Sequence, residues 1–430
     1  MTYKLFFKGL SYLLIIPVLF FSCSEDESIP LSMSETEQLS EASNPNYVNY
    51  EEALEIAIKW LTNNNATTRA EGLKVKNHYE FSANNHYLLQ TRADALIEDS
   101  IDVRFHVINF EDNAGFALVS ADNRTTPVYA YSTESNLDLG ECMENTGLSV
   151  FMEGAIKRYS METRSHILPP RPCDPVELDS MILYPKTTFN GQECYMVCQD
   201  HHSQTGPFLS TLWNQCSPYN YYCPIIPDAL NNCEDRAAAG CVTIALAQIM
   251  AYHNYPNNWN WNLIHSSPYY YSGIHNESSN EVAQFIYSLA VAANVSFGRE
   301  SSSNNYNANE ALENWNYSTS EVQNFSYSDV TNSVRAHMPV YCSGTNPYTN
   351  KGHAWVIDGY RQRTTIATYY TVPKPHVRLG EETISLTVFY HCNWGWGGMS
   401  NGFFIDTFRI NDNMEYCVNN KIIYNIHPNI

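Results

Sequence analysis

The stretch Gly240-Cys241-Val242-Thr243-Ile244-Ala245-Leu246-Ala247-Gln248-Ile249-Met250 is an apolar run with a single thiol near its start. Its apolar residues recur at three- and four-residue spacing, which predicts a helix with one face packed inward. The unpaired N–H groups and the positive dipole end of a helix start stabilise a thiolate and lower a cysteine pKa. The pattern therefore favours a nucleophilic Cys241, although a cysteine taken at random is more often structural or half of a disulfide.

A thiolate nucleophile needs a histidine, a group that orients the histidine, and a donor for the oxyanion, all distant in sequence. His353 leads an apolar stretch that is typical of a strand, and a second alternating stretch runs into Asn393 and Trp394. Asn393 is expected to accept the imidazole N–H, and Trp394 is expected to shield that bond from water. Gln215, upstream, carries an amide that can donate to an oxyanion.

The order Gln, Cys, His, Asn-Trp resembles that of the papain-like cysteine peptidases. The residues around these four positions resemble, more specifically, the streptopain family of such peptidases. Four blocks carry the resemblance: Trp-Asn-Gln-Cys-Ser-Pro-Tyr-Asn (213–220), Gly-Cys-Val-Thr with Ala-Gln-Ile-Met-Ala-Tyr-His-Asn-Tyr-Pro (240–243 and 247–256), Gly-His-Ala-Trp-Val-Ile-Asp-Gly (352–359) and Asn-Trp-Gly-Trp-Gly-Gly (393–398). The paired-cysteine signature of papain itself is absent.

The resemblance implies an α+β papain-like domain over 207–430, with a helical half that carries Cys241 and an antiparallel sheet half that carries His353 and Asn393. It implies that Cys241 is the nucleophile, that His353 is the general base and acid, and that Gln215 forms the oxyanion hole with the Cys241 N–H. Substrates are then proteins or peptides, and neither a cofactor nor a metal is expected. Residues 361–382 are interpreted as an insertion in the hairpin that follows the histidine strand.

The first residues predict an export signal. Lys4 and Lys8 precede an apolar stretch over 9–21 that has the length of a secretory core and is short for a membrane span. Cys23 follows directly and resembles the acylated cysteine of a bacterial lipoprotein, and the acidic residues after it resemble the surface-export signal of Bacteroidetes lipoproteins. The sequence thus predicts a signal peptide over 1–22 and a lipid on Cys23, which would place the protein at the outer membrane, including its outer face. Plain secretion is the alternative.

Residues 23–165 are predicted to form a tether and then an inhibitory α+β prodomain. A helix is expected over 49–61, and strands are expected over 104–110, 115–120 and 127–131, with Asp112-Asn113 turning the first hairpin. The strand region resembles the propeptide of streptopain-like zymogens, in which the prosegment covers the cleft until it is cut. A permanent accessory domain is the alternative.

Residues 166–206 are predicted to be an exposed activation linker, because they contain several prolines and little periodicity. Candidate cleavage sites lie near Arg164, Arg171 or Lys186. A zinc site built from Cys194, Cys198 and the following His-His pair is a weaker reading, since the ligand spacing is irregular.

Cysteine content agrees with export. The chain has 12 cysteines, and setting aside Cys23 and Cys241 leaves an even number that can form disulfides outside the cytoplasm. A disulfide among Cys216, Cys223 and Cys233 would rigidify the cleft next to Gln215.

The net charge of −21 argues against nucleic acid and against an anionic membrane surface as partners, so a lipid would be the only link to a membrane. The expected partners are protein substrates and the chain's own prodomain. Two other functions remain open at this point: a catalytically idle surface protein that binds protein in its cleft, and a cysteine amidase or transpeptidase that acts on cell-wall peptide.

Overall fold

The computed structural model describes residues 44–63, 73–83, 102–140, 147–164, 187–346, 350–371, 377–408, 410–411, 414–415 and 420–430. The elements described below belong to one compact unit, Asn46–Ile430. The predicted signal peptide and Cys23 lie outside the described residues.

The N-terminal part of this unit has the helices and strands expected of the predicted prodomain. Its elements are α1 (Tyr50–Asn63), β1 (Val75–Ser82), β2 (Arg104–Phe110), β3 (Phe116–Ser120), β4 (Val128–Ser132) and α2 (Gly147–Arg164). The turn between β2 and β3 contains Asp112 and Asn113 at φ 55° and 54°, a left-handed conformation that Asp and Asn tolerate better than most residues. The predicted helix, the three predicted strands and this turn are therefore confirmed.

The C-terminal part places most of its helices first and most of its strands last. Its helices are α3 (Cys241–His253), α4 (Trp261–Ile264), α5 (Glu277–Ala292), α6 (Asn305–Asn314) and α7 (Tyr327–Arg335). Its strands are β5 (Thr187–Phe189), β6 (Gln192–Thr205), β7 (Tyr317–Ser318), β8 (Gln323–Asn324), β9 (Val340–Thr345), β10 (Gly352–Thr371), β11 (Arg378–Asn393), β12 (Gly402–Ile405), β13 (Ile410–Asn411), β14 (Met414–Glu415), β15 (Lys421–Ile423) and β16 (His427–Pro428). None of the described helices is both long and apolar enough to span a bilayer.

One antiparallel sheet runs through both parts in the order β1-β2-β3-β4-β12-β11-β10-β9-β15-β8. Strand β10 pairs with β11 along one edge, and along its other edge it pairs first with β9 and then with β6. The N-terminal part joins the sheet through β4, where Ala130 pairs with Phe404 and Tyr131 with Phe403 of β12. The chain is thus an α+β protein whose predicted prodomain extends the sheet of the C-terminal part.

Helix α2 seals this junction. Phe151 packs its ring edge-on against Phe404, at 4.9 Å between centroids, and it also contacts Phe408. At the start of α2, a Cβ on Gly147 would stand 2.3 Å from the ring of Trp394, so only a glycine permits this approach. One buried core consequently contains side chains from both parts of the chain.

The structure adds detail to two expectations about connecting segments. The predicted linker over 166–206 contains a hairpin, because β5 and β6 lie within it and β6 pairs with β10 along 194–205. The predicted insertion over 361–382 is largely the continuation of β10 and β11. An alternating sequence pattern does not show where a strand ends. Here the length of each strand is set by the neighbouring strand with which it pairs. Among the candidate cleavage sites, Arg164 ends α2, and Arg171 and Lys186 lie outside the described residues.

The shared core predicts that both parts of the unprocessed chain unfold together. Replacing Phe151 by alanine removes a fully buried ring and should lower the free energy of unfolding by about 3–5 kcal/mol. Seven of the eight tryptophans lie at or after position 213, so tryptophan fluorescence in a urea titration reports on the C-terminal part. The fluorescence midpoint should fall in Phe151→Ala and stay unchanged in Tyr306→Ala, which removes an exposed ring. An unchanged midpoint in Phe151→Ala would show that the two parts unfold independently.

Candidate active site

Cys241 is the first residue of α3, as predicted. The residue before it, Gly240, has φ 91°, a conformation that L side chains rarely adopt, so the glycine allows the chain to turn sharply into the helix. The backbone N–H groups of Ala354 and Val242 lie close enough to the Cys241 sulfur to favour the thiolate. Because Ala354 directly follows His353, this contact brings the candidate nucleophile next to the candidate base.

His353 lies near the start of β10 and is buried. Its Nε2 donates to the backbone carbonyl of Trp394 at 2.8 Å. This bond fixes the tautomer and leaves Nδ1 as the nitrogen that can exchange a proton with a thiol. The ring of Trp396 lies against the imidazole, with 5.0 Å between the ring centroids.

The residues that orient and cover His353 differ from the sequence expectation. Within the described part of the chain, the side-chain amide of Asn393 makes no hydrogen bond to the imidazole and is instead paired with that of Gln248. The orienting acceptor is instead the main-chain oxygen of Trp394, and the covering ring is that of Trp396. The Trp394 ring is fully buried behind them, where its Nε1 donates to the carbonyl of Ser400. A sequence pattern identifies side chains, so it could not reveal that a backbone carbonyl takes the orienting position.

Gln215, Cys241 and His353 line one cleft of about 1080 Å³, together with Trp396. The Gln215 main chain is held against the start of α3, since its carbonyl accepts from the Ala239 N–H at 2.8 Å. The next residue, Cys216, forms a disulfide with Cys233, as the sequence suggested for this region. The disulfide and the backbone bond fix the segment that carries the Gln215 amide beside the thiol.

Burial favours the neutral forms of both reactive groups. Desolvation raises the pKa of the Cys241 thiol, and the surrounding N–H groups offset this only in part. Desolvation also lowers the pKa of His353 to about 4, although the Trp394 carbonyl favours the charged ring. No hydrogen bond joins Cys241 and His353 in the described part of the chain. The expected thiolate–imidazolium pair is therefore disfavoured in this unprocessed form, because burial outweighs the helix start.

Two polar groups that the sequence patterns do not identify hold the site from behind. Gln248 lies seven residues after Cys241 in α3, a spacing that marks the same helix face. Asp358 lies in β10 and is bound to the ring of His391 at 2.6 Å. Gln248 lies inside the motif block 247–256, and Asp358 lies inside the motif block 352–359. The sequence signal that could have identified them is a polar residue on an otherwise apolar face.

The weaker zinc reading gains no support. Cys194 and Cys198 are buried in β6, whereas His201 and His202 are exposed. Within the described ranges, no group of three His, Cys, Asp or Glu side chains could hold a metal ion.

Two family profiles match the chain. That of the Peptidase C10 family matches residues 213–404, and that of the Spi protease inhibitor matches residues 45–158. The first match contains Gln215, Cys241, His353 and Asn393. The second contains β1 to β4 and the first two-thirds of α2.

Among curated proteins, the chain is similar to streptopain of Streptococcus pyogenes, with 27% identity over 332 residues that cover 67% of this chain and 71% of that protein. It is also similar to the thiol protease/hemagglutinin PrtT of Porphyromonas gingivalis, with 24% identity over 345 residues that cover 70% of this chain and 33% of that protein. Among solved structures, a prointerpain A fragment of Prevotella intermedia covers 76% of this chain and 96% of its own, with 17% identity and a TM-score of 0.48.

The depressed pKa of His353 predicts how the unprocessed chain responds to acid. The unfolded chain takes up this proton from about pH 6.5 and the folded chain only near pH 4, so stability is complete above pH 6.5 and falls as the pH drops toward 4. Between pH 7 and pH 5 a group with this shift removes about 2 kcal/mol. The free energy of unfolding, measured by urea titration at pH 7 and pH 5, should therefore fall less with acid in Cys241→Ala/His353→Gln than in Cys241→Ala, by about that amount.

His201→Gln in the same background is the control, because His201 is exposed. If the free energy of unfolding falls equally between pH 7 and pH 5 with and without His353, the imidazole is not buried in its neutral form.

Proposed function

Because the chain belongs to the streptopain family of cysteine peptidases, we propose that Cys241 is the nucleophile of its endopeptidase site and that His353 is the general base and acid. The observation that carries the assignment is the single cleft lined by Gln215, Cys241 and His353. It also rests on the His353–Trp394 hydrogen bond, which leaves Nδ1 free to serve the thiol.

The proposed reaction begins when His353 Nδ1 takes the Cys241 proton. The thiolate attacks the scissile carbonyl, and the amide of Gln215 and the backbone N–H of Cys241 stabilise the tetrahedral oxyanion. His353 then protonates the departing amine, which leaves a thioester on Cys241. Water, activated by the same imidazole, hydrolyses the thioester. The Trp394 carbonyl holds the ring in one orientation through each step, and Trp396 covers it.

The chain is made as a zymogen with an inhibitor-like N-terminal region, and we assign the prodomain to 23–165, the activation linker to 166–206 and the peptidase domain to 207–430. The contacts of β4 and α2 with β12 and Trp394 support inhibition by this region. In this form of the chain, desolvation favours the neutral thiol of Cys241 and the neutral ring of His353, and a neutral thiol is a poor nucleophile. Cleavage in the linker would permit the prodomain to leave.

The proposal for location rests on the sequence. A signal peptide over 1–22, a lipid on Cys23 and the acidic residues after it would place the peptidase on the outer membrane, facing outward. An exported site of action agrees with the Cys216–Cys233 disulfide, since disulfides persist outside the cytoplasm.

Replacing Cys241 by alanine should abolish casein cleavage by the activated chain, and Gln215→Ala should reduce it by about 10²- to 10³-fold. Cys223→Ala is the matched control. Burial raises the pKa of the Cys223 thiol to about 12, so it should not react and its loss should leave turnover per folded molecule unchanged.

Titration with a thiol-directed epoxide identifies the nucleophile and separates the alternatives. Mass spectrometry should place the label on Cys241. Labelling of Cys241 without casein turnover would favour a cell-wall amidase, and the absence of labelling would favour an idle binding protein.

The lipid anchor has its own test. Expressed in a Bacteroidetes host fed a tagged fatty acid, the wild-type chain should carry the tag and fractionate with membranes. Cys23→Ser should lose both properties, whereas Cys142→Ser should retain them. An untagged wild-type chain in the medium would instead establish plain secretion.

A further inference from the structure

Gln248 has no assigned part in the proposed reaction, yet it is a fully buried polar side chain two turns after Cys241 on α3. An amide buried among the apolar residues of this helix destabilises the fold unless all its hydrogen bonds are made. The partners of Gln248 therefore indicate why an amide stands here.

The amides of Gln248 and Asn393 form a reciprocal pair. Nε2 of Gln248 donates to Oδ1 of Asn393 at 3.2 Å, and Nδ2 of Asn393 donates to Oε1 of Gln248 at 3.2 Å. Oε1 of Gln248 also accepts from the Thr211 hydroxyl at 3.2 Å and from the Trp213 N–H at 3.4 Å. Nδ2 of Asn393 donates further to the Thr211 carbonyl at 3.0 Å.

These bonds join the three segments that carry the proposed catalytic groups. Gln248 belongs to the helix that begins at Cys241. Thr211 and Trp213 lie in the segment that leads to Gln215. Asn393 accepts the Gly395 N–H at 3.1 Å, and so it shapes the turn whose Trp394 carbonyl orients His353. One pair of amides thus connects the nucleophile, the oxyanion donor and the histidine acceptor.

We propose that Gln248 and Asn393 are positioning residues of the peptidase, which set the distance between the Cys241 helix and the turn that orients His353. The inference rests on the proposed function of Cys241 and His353. It gives Asn393 a different part from the one its sequence motif suggests, because Asn393 acts on the turn and not on the imidazole.

At neutral pH the amide of Gln248 supplies both a donor and an acceptor. Methionine has nearly the same shape and makes none of these bonds. An ionised glutamate keeps the acceptor for Thr211 and Trp213, but it turns a second acceptor toward Oδ1 of Asn393 and repels it. A protonated glutamate carries an O–H and restores the lost donor. Gln248→Glu should therefore recover at acid pH, whereas Gln248→Met should not.

The test compares these two variants in the full chain after its linker is nicked by trypsin and the trypsin is inhibited. At pH 7, both variants should lose about 10²-fold in kcat, with a small change in KM, because displacement of catalytic groups by about 1 Å has effects of this size. As the pH falls toward 5, the ratio of kcat/KM for Gln248→Glu to that for Gln248→Met should rise at least several-fold. The titratable side chains that share a cavity with Gln248 are Tyr252 and His265, and both are present in each variant, so their effects cancel in the ratio.

Gln284→Glu and Gln284→Met are the matched controls, since Gln284 is exposed on α5, and they should retain wild-type kcat. Near-ultraviolet circular dichroism of each unprocessed variant establishes that it folds. If folded Gln248→Met keeps wild-type kcat, or if the ratio stays constant with pH, the positioning proposal is wrong.

These outcomes are distinct from failure of the proposed function. Epoxide titration of the wild-type chain reports on Cys241 independently. A wild-type chain that is neither labelled nor active would overturn the catalytic assignment, whereas labelled, active wild type with unaffected Gln248 variants would overturn only the positioning pair.

Discussion

The pairing of β10 with β11 is the constraint on which the site depends. Val356 pairs with Asn393, so His353 near the start of β10 lies close to the turn that follows the end of β11. Trp355 and Trp394 consequently touch, at 5.3 Å between ring centroids, and the Trp394 carbonyl reaches the imidazole. A slip of one residue would turn His353 to the opposite face of the sheet. The long hairpin beyond the site makes such a slip costly, because it adds many further pairs in the same register.

The same sheet also holds the N-terminal part of the chain, the proposed prodomain, against the C-terminal part. The N-terminal part joins the sheet at β12, next to β11, and α2 presses on Trp394 from behind. In this form of the chain, desolvation favours the neutral thiol of Cys241 and the neutral ring of His353. The proposed catalysis by Cys241 and His353 requires the opposite balance, with charge moving between these two groups. The proposed inhibition therefore does not require that any of the proposed catalytic side chains be absent.

Particular residues show what the sequence could predict. The helix that begins at Cys241, the strand of His353 and the N-terminal strands were foreseen because each has a local pattern of apolar residues and a turn or glycine at its end. The sequence does not predict that both parts share one sheet, since neither the sequence of β4 nor that of β12 indicates that these two strands pair. The hydrogen-bond partner of the Asn393 side chain differs from the expected one for a related reason. A side chain next to a catalytic histidine in sequence can reach either the imidazole or the helix behind it, and only the packed structure decides which.

Asp358 indicates how the proposed peptidase domain would stay whole after a cut in the proposed linker. A shift of register between Ile357 and Gly359 places this residue at a β-bulge, where its carboxylate binds His391 and accepts the N–H groups of Phe208 and Leu209. Burial favours a neutral His391, but the Asp358 carboxylate outweighs it and raises the pKa of His391, which favours an ion pair between the two residues.

A buried pair of this kind adds little net stability, yet breaking it is costly, because one charge is then left without a partner. The segment that follows the linker is therefore fastened to the sheet at 208–209, and β6 is fastened along β10. A cut at Arg164, Arg171 or Lys186 precedes both attachments. Such a cut would break the covalent link to the proposed prodomain and leave β6 with the proposed peptidase domain. Release of the prodomain would then be a second, non-covalent step that must overcome the β4–β12 pairing and the α2 contacts.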